Sequence, residues 1–478
     1  GVSVGTLLAR LRRDPRVRAA RPEGRVQLRL TPNDPALTRS ETAGGTPAGT
    51  PLQWSPGRAG LFHAWDLHRG AGALVGVIDT GADAGQPDLA GKIAAAVDQH
   101  ADDDLPPISD PVGHGTHVSS LACAATGNGV GIAGAGHDCR LIVERSDLRD
   151  SSVVESVIDA TNRGAHAINM SFGTDGRAIL GMAEAVDYAV ARRVVLVAAA
   201  ADDAIADQGE PARLLQPTGT GPSLGAGKGL VVTASTLSDA PAGAGVGTQV
   251  SLAAPGSFLG FSNTAGPPGL FAGFPAAQTD LERFDLSNPL DPRPPCGCRT
   301  SLDGDNRWAY LQGTSMSSPQ VAAVAALARR LNPDLSAVEI VRLLKESARR
   351  QGGWTAELGW GILDGGAALE AVSRVDRRAP WSRARAMPTT RARVVTVRWS
   401  GADPALAGLR ASGIARFEVY RSYNGFPARR IAIRTRARSL RVRVFPGARY
   451  AFTTVAVDRA GNREARPARA DATTRVLR

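Results

Sequence analysis

Three side chains far apart in the chain make up the parts of an acyl-transfer centre. Asp79 ends the apolar run ALVGVID, His114 stands between glycines in GHGTHVSS, and Ser315 opens a long apolar stretch in GTSMSSPQVAAVAAL. A serine hydroxyl is a poor nucleophile until a neutral imidazole takes its proton. The imidazole in turn needs a carboxylate to fix its tautomer and stabilise its charged form. Ser315 at a helix start would add backbone N–H groups and a positive dipole end beside a developing oxyanion. Pro319 fits the first turn of such a helix, where its missing N–H costs nothing. Singly, the three read as a strand-end cap, a glycine-flanked turn residue and a helix N-cap; their chemistry emerges only from the set.

Groups so far apart need a scaffold that gathers them. From about 70 to 369, short β-branched runs alternate with helical patterns, the mark of a buried, mostly parallel, doubly wound sheet. The runs at 73–79, 140–144, 166–172, 194–200 and 229–235 read as strands. Helical patterns cover 116–125, 151–163, 177–192, 316–331 and 336–349. Such a sheet places its site at the carboxyl ends of the strands, where Asp79 stands. The last hundred residues read instead as alternating strands at 394–400, 415–422, 429–435, 439–445 and 450–458, separated by Gly, Pro and Asn turns, a β-sandwich pattern. In SLRVRVF, Leu440, Val442 and Val444 face inward. The stretch 257–312 reads as a loop-like insertion beside the sheet, too long to be an idle connection.

With the motifs in the order Asp, His, Ser on an α/β pattern, the chain resembles the subtilisin-like serine proteases, the subtilase family. The resemblance covers roughly 35–373, with further matches in INMSFG, LAAPG and ELGWGILDGGAALEAV. It implies a secreted endopeptidase that needs no cofactor, with peptide or protein as substrate. Asp79 would orient, His114 act as general base and then acid, and Ser315 attack the peptide carbonyl. It also implies a cleft in which Ser171, Phe172 and Gly173 face Ala198, Ala199 and Ala200 across a primary pocket with room for a large apolar side chain. The backbone of 171–173 would pair with substrate as an added strand.

One position departs from the family. Where members usually follow the strand at 194–200 with Gly-Asn, whose amide donates to the oxyanion, this chain has Ala201 and Asp202. An ionised Asp202 repels an oxyanion, whereas a protonated one donates. Ser315 N–H and the Thr314 hydroxyl are the other expected donors. Loss of one donor costs about 10²- to 10³-fold in turnover. A catalytically weak, peptide-binding scaffold is therefore the alternative reading.

Composition adds domains and excludes classes. The chain has 478 residues, 43% hydrophobic and 21% charged, so it folds, and no apolar stretch is long enough to span a bilayer. Its net charge of +11 is uneven. Residues 1–30 carry 8 Arg against Asp14 and Glu23; 31–373 carry 23 basic and 37 acidic residues; 374–478 carry 25 Arg and 6 acids. The expected domains are accordingly 1–30, resembling part of the family's inhibitory prodomain, then the peptidase domain at 31–373, then a tail at 374–478. The tail resembles a fibronectin type III module, with Tyr450 as its corner tyrosine. Its arginines suit an anionic surface polymer, while motifs for specific nucleic-acid recognition are absent. The family topology brings Cys123 and Cys139 close enough to bridge, and Cys296 and Cys298 pair with each other or stay reduced. Asp102, Asp103 and Asp104, and Asp303, Asp305 and Asn306, carry oxygen ligands of the calcium type without the spacing of a full site. A solvated acidic loop is the default there.

Overall fold

The computed structural model describes residues 31–99, 104–262, 267, 269–283, 296–349, 352–434 and 437–478, together with Asp14 and Val17. The chain falls into two compact units, Gly1–Thr31 and Pro32–Arg478. The helix and strand pair expected within 1–30 lie outside the described residues, as do Asp102 and Asp103.

The larger unit is built on a parallel sheet of seven strands: β1 (Leu74–Asp79), β2 (Ile93–Asp98), β3 (Arg140–Arg145), β4 (Ala167–Met170), β5 (Val195–Ala199), β6 (Leu230–Ser235) and β7 (Leu252–Pro255). Their order is β2-β3-β1-β4-β5-β6-β7, so Asp79 ends an interior strand. β2 and β7 were not foreseen. Both are alanine-rich edge strands of weak β propensity, and β7 ends in a proline that only an edge tolerates.

Helix α1 (His114–Cys123) carries the histidine. Helices α2 (Asp150–Asn162) and α3 (Met182–Ala191) pack on the sheet face opposite α4 (Thr314–Leu331), which begins next to the serine. Fifteen of the eighteen residues of α4 are buried, as expected of a helix apolar on all sides. Its alanines allow it close to β4, β5 and β6. The Cys123–Cys139 disulfide ties the end of α1 to the residue before β3.

Among its described residues, the stretch 257–312 is not a loop. It forms an antiparallel sheet, β8-β10-β9, from β8 (Leu270–Gly273), β9 (Arg299–Leu302) and β10 (Asp305–Leu311). Its four-residue strands lack readable alternation, and the Gly and Pro around them masked the signal. This sheet braces the histidine helix: His117 Nε2 donates to the Leu270 carbonyl at 3.1 Å, and Gly273 N–H donates to Ser120 Oγ at 3.0 Å. Gly113, at φ +94°, caps α1 with so little space that a Cβ there would lie 2.6 Å from the buried Phe274 ring. Cys296 and Cys298, in the same insertion, are bridged to each other.

The tail forms two antiparallel sheets. One is β11-β12-β15, from β11 (Trp381–Ala384), β12 (Val394–Ala402) and β15 (Ser439–Arg443). The other is β14-β13-β16-β17, from β13 (Ile414–Tyr423), β14 (Arg429–Arg434), β16 (Arg449–Asp458) and β17 (Ala472–Arg475). Between them lie Val397, Trp399, Phe417, Val419, Val442, Tyr450 and Phe452. The Tyr450 hydroxyl accepts from Phe445 N–H at 2.9 Å. No helix among the described residues is long and apolar enough to cross a membrane.

Candidate active site

Asp79 is the last residue of β1, His114 the first of α1 and Ser315 the second of α4. Asp79, 3% exposed, accepts at Oδ1 from His114 Nδ1 at 2.7 Å and from Thr80 N–H at 2.8 Å. A carboxylate partner requires the proton on Nδ1, which leaves Nε2 as the basic atom. The Ser315 hydroxyl donates to the Ser171 carbonyl at 3.2 Å, a loose bond of the sort that tightens elsewhere once substrate binds.

Asp110, which sequence reasoning missed, holds the histidine loop. It is 6% exposed and accepts from Gly113 N–H at 2.9 Å, from Thr116 N–H and hydroxyl at 2.7 Å, and from Thr80 Oγ1 at 2.8 Å. An acid four residues ahead of a helix start was the available signal. Burial raises the Asp110 pKa against these hydrogen bonds. For His114, burial alone would lower the pKa; the charge and hydrogen bond of Asp79, helped by Asp110 and Asp202, outweigh it, and the pKa is raised above 6.5. This raised pKa contributes stability that is fully present below the unfolded value and lost as pH rises through the folded one. The neutral base accordingly becomes available only above the ordinary histidine range.

Asp202 points at the start of α4. Its Oδ1 accepts from Thr314 N–H at 2.8 Å and lies 2.9 Å from Thr314 Oγ1. The Thr314 hydroxyl donates to the Ala200 carbonyl at 2.6 Å, so its one proton is already engaged, against its expected place among the oxyanion donors. Ser315 N–H, at the second helical position, has no acceptor within the helix. Ser171 Oγ bonds the Ser315 carbonyl and Ser318 Oγ, each at 3.0 Å, and so steadies this helix start.

The two expected cleft segments follow neighbouring strands, with Met170 paired to Ala198. Ala198 is wholly buried in the core and cannot wall a pocket; a sheet residue between two helix layers has no open side. Ala199 and Ala200 are 4% and 7% exposed. Phe172 is half-buried against the same core, and a Cβ on Gly173 would lie 3.4 Å from the Gln208 carbonyl.

Residues 70–361, more than half of the chain, match the Subtilase family. The chain belongs to that family. Among its subtilase relatives, a thermophilic serine proteinase of Bacillus sp. (strain AK1) is 28% identical, over 68% of this chain and 66% of that protein. An extracellular protease of Xanthomonas campestris is 29% identical over 77% and 61%, and thermitase of Thermoactinomyces vulgaris 28% over 62% and 85%. The chain thus spans less than two thirds of the first two relatives. A solved protease of Pseudoalteromonas arctica shares the fold, with a TM-score of 0.55 at 24% identity, covering 72% of this chain and all of that one.

For a hard cation, two of the acids expected from sequence are otherwise engaged: Asp303 pairs with Arg39 and Asp305 with Arg307. Two others, Asp34 and Asp88, are fully buried against the glycine-rich loop 127–132. Asp34 accepts from Gly127 N–H; Asp88 accepts from Asn128 Nδ2 at 3.0 Å and Ile132 N–H at 2.7 Å. Burial pushes the Asp88 carboxyl up to about 7 and raises Asp34, and Asp34 adds to the rise at Asp88. Two such oxygens beside an amide suit calcium chemistry. Farther off, Asp376, Asp403 and Asp458 each bring an oxygen within 4.8 Å of the others, already bonded by Ser412, Gly413 and Asn462.

Because the Asp79 charge and hydrogen bond are the leading causes that raise His114, Asp79→Asn should lower the His114 pKa. Titration of the ring by NMR measures it; an unchanged pKa would contradict the coupling.

Proposed function

We propose that this chain is a secreted serine endopeptidase that cleaves peptide bonds through an acyl-enzyme. Ser315 Oγ attacks the scissile carbonyl carbon while His114 Nε2 takes the hydroxyl proton. The tetrahedral adduct collapses as His114 returns that proton to the leaving amine. Water then attacks the ester, with His114 again as base, and frees Ser315. Asp79 holds the ring in the tautomer this requires. The observation that carries the reading is the hydrogen bond of His114 to buried Asp79, at the same end of the sheet as the start of the Ser315 helix, in a subtilase chain. Residues 1–30 act as remnant of an inhibitory prodomain, the tail from 374 as an accessory module, and Asp34, Asp88 and Asn128 as calcium ligands. The extracellular naming of one relative supports secretion.

The second reading, a weak or inactive peptide-binding scaffold, is favoured by Asp202 alone. A carboxylate that occupies the Thr314 N–H stands where a transition-state oxyanion needs donors. Ser315 N–H is then the chief donor left.

Three outcomes test these readings. A fluorophosphonate should label Ser315 and nothing else, and Ser315→Ala should abolish both label and peptide hydrolysis, a loss of about 10⁴-fold or more; a label elsewhere on folded protein refutes the peptidase. In kcat against pH, the parent should rise as His114 becomes the neutral base. Asp202→Asn should turn over up to about 10²-fold faster at neutral pH, because an amide donates to the oxyanion where a carboxylate does not; an unchanged kcat places Asp202 outside the oxyanion site. Calcium should raise the thermal midpoint and a chelator lower it, with both responses lost in Asp88→Asn. Indifference to chelator removes the cation.

A further inference from the structure

The far end of the tail carries a feature that catalysis does not use. The β13–β14 hairpin turns through Asn424 and Gly425, at φ +44° and +85°, the left-handed pair that a tight two-residue turn demands. Phe426 N–H donates to the Tyr423 carbonyl at 2.9 Å, and Ser422 Oγ donates to the Phe426 carbonyl at 2.6 Å, so the turn is rigid. It displays a stacked pair of aromatic rings. Tyr423 and Phe426 lie parallel within 6°, centroids 6.4 Å apart, and are 38% and 66% exposed. Behind them Tyr423 rests on buried Tyr450, with centroids 5.3 Å apart, so the platform is anchored in the core.

Beside the rings, Arg421 on β13 stands opposite Arg429 on β14. Like charges facing across strands destabilise a sheet. Elsewhere in the tail this strain is relieved: Arg416, Arg430 and Arg463 converge on buried Glu418. For Arg421 and Arg429 no acidic partner stands among the described residues. The two arginines, both rings and Pro427 line an open hollow of about 260 Å³. An exposed aromatic pair flanked by two guanidinium groups without acidic partners among the described residues fits a ligand with a ring face and an anionic group at its edge.

We propose that this hollow binds an acidic polysaccharide, one uronate ring lying on Tyr423 and Phe426 with its carboxylate taken by Arg421 and Arg429. Single-stranded nucleic acid would instead call for a track of several stacking rings along a basic groove. Here one platform serves one sugar, and a polymer of repeating uronates gains strength by rebinding along its length. The proposal is independent of the peptidase reading, since the hairpin belongs to the tail's own sheet.

The test is affinity electrophoresis of the full chain, carrying Ser315→Ala to prevent self-cleavage, through gels holding polygalacturonate, neutral dextran or poly(dT) at one ionic strength. Polygalacturonate should retard the protein and dextran should not. Phe426→Ala, and the pair Arg421→Ala with Arg429→Ala, should each weaken retardation at least about tenfold with an unchanged thermal midpoint, because none of these side chains is part of the core. Equal retardation of parent and Phe426→Ala would reduce the effect to bulk charge and overturn the site. So would tighter binding to poly(dT), retardation by dextran, or none by polygalacturonate.

Discussion

A carboxylate buried to 3% exposure at the end of an interior strand is the constraint around which the rest is arranged. Asp79 cannot be left without donors in that position, because an unpaired buried charge costs several kcal/mol. His114 and the Thr80 N–H satisfy one of its oxygens. The imidazole must therefore arrive at a fixed point with its Nδ1 protonated, which sets the start of α1 and the loop before it. Asp110 pins that loop through four hydrogen bonds, and the insertion sheet presses on it from outside.

The two helices that carry the reactive side chains begin beside a carboxylate. At α1 the acid is Asp110, buried and occupied, and the favourable meeting of anion and helix N-terminus does purely structural work. At α4 the acid is Asp202, and the same favourable meeting uses up a donor next to Ser315. The physics that steadies one helix start competes with chemistry at the other. A neutral amide at 202 would separate the two effects, because it accepts from Thr314 and donates to substrate at every pH.

Much of this was legible before any coordinates. The interior strands betray themselves by unbroken β-branched runs, and the three reactive residues by glycine-flanked motifs at strand ends and helix starts. β2 and β7 escaped because alanine carries little strand signal. The insertion sheet escaped because four-residue strands such as LFAG are too short for alternation to show. Ala198 looked like a pocket wall because a strand's end can be located from sequence but not which of its faces is open. Asp34 and Asp88, 54 positions apart in the sequence, meet only through tertiary structure. The pairing of Cys123 with Cys139 came from family topology, which spacing alone cannot supply.

The insertion sheet has one further consequence. β10 runs almost directly into the helix of Ser315, and β8 is bonded to the helix of His114. Nucleophile and base thus hang from adjacent strands of one small antiparallel unit, whose Leu270, Phe271, Leu302 and Trp308 pack into the main core. Loosening of that unit displaces both groups together, even where the seven-stranded sheet holds, since opening free energies differ across a structure. The centre would then disassemble as a whole, both groups leaving register in one event, at a free energy below that of global unfolding. Amide exchange within β8, β9 and β10, rather than the melting of the whole chain, would set the temperature ceiling of any chemistry at this site.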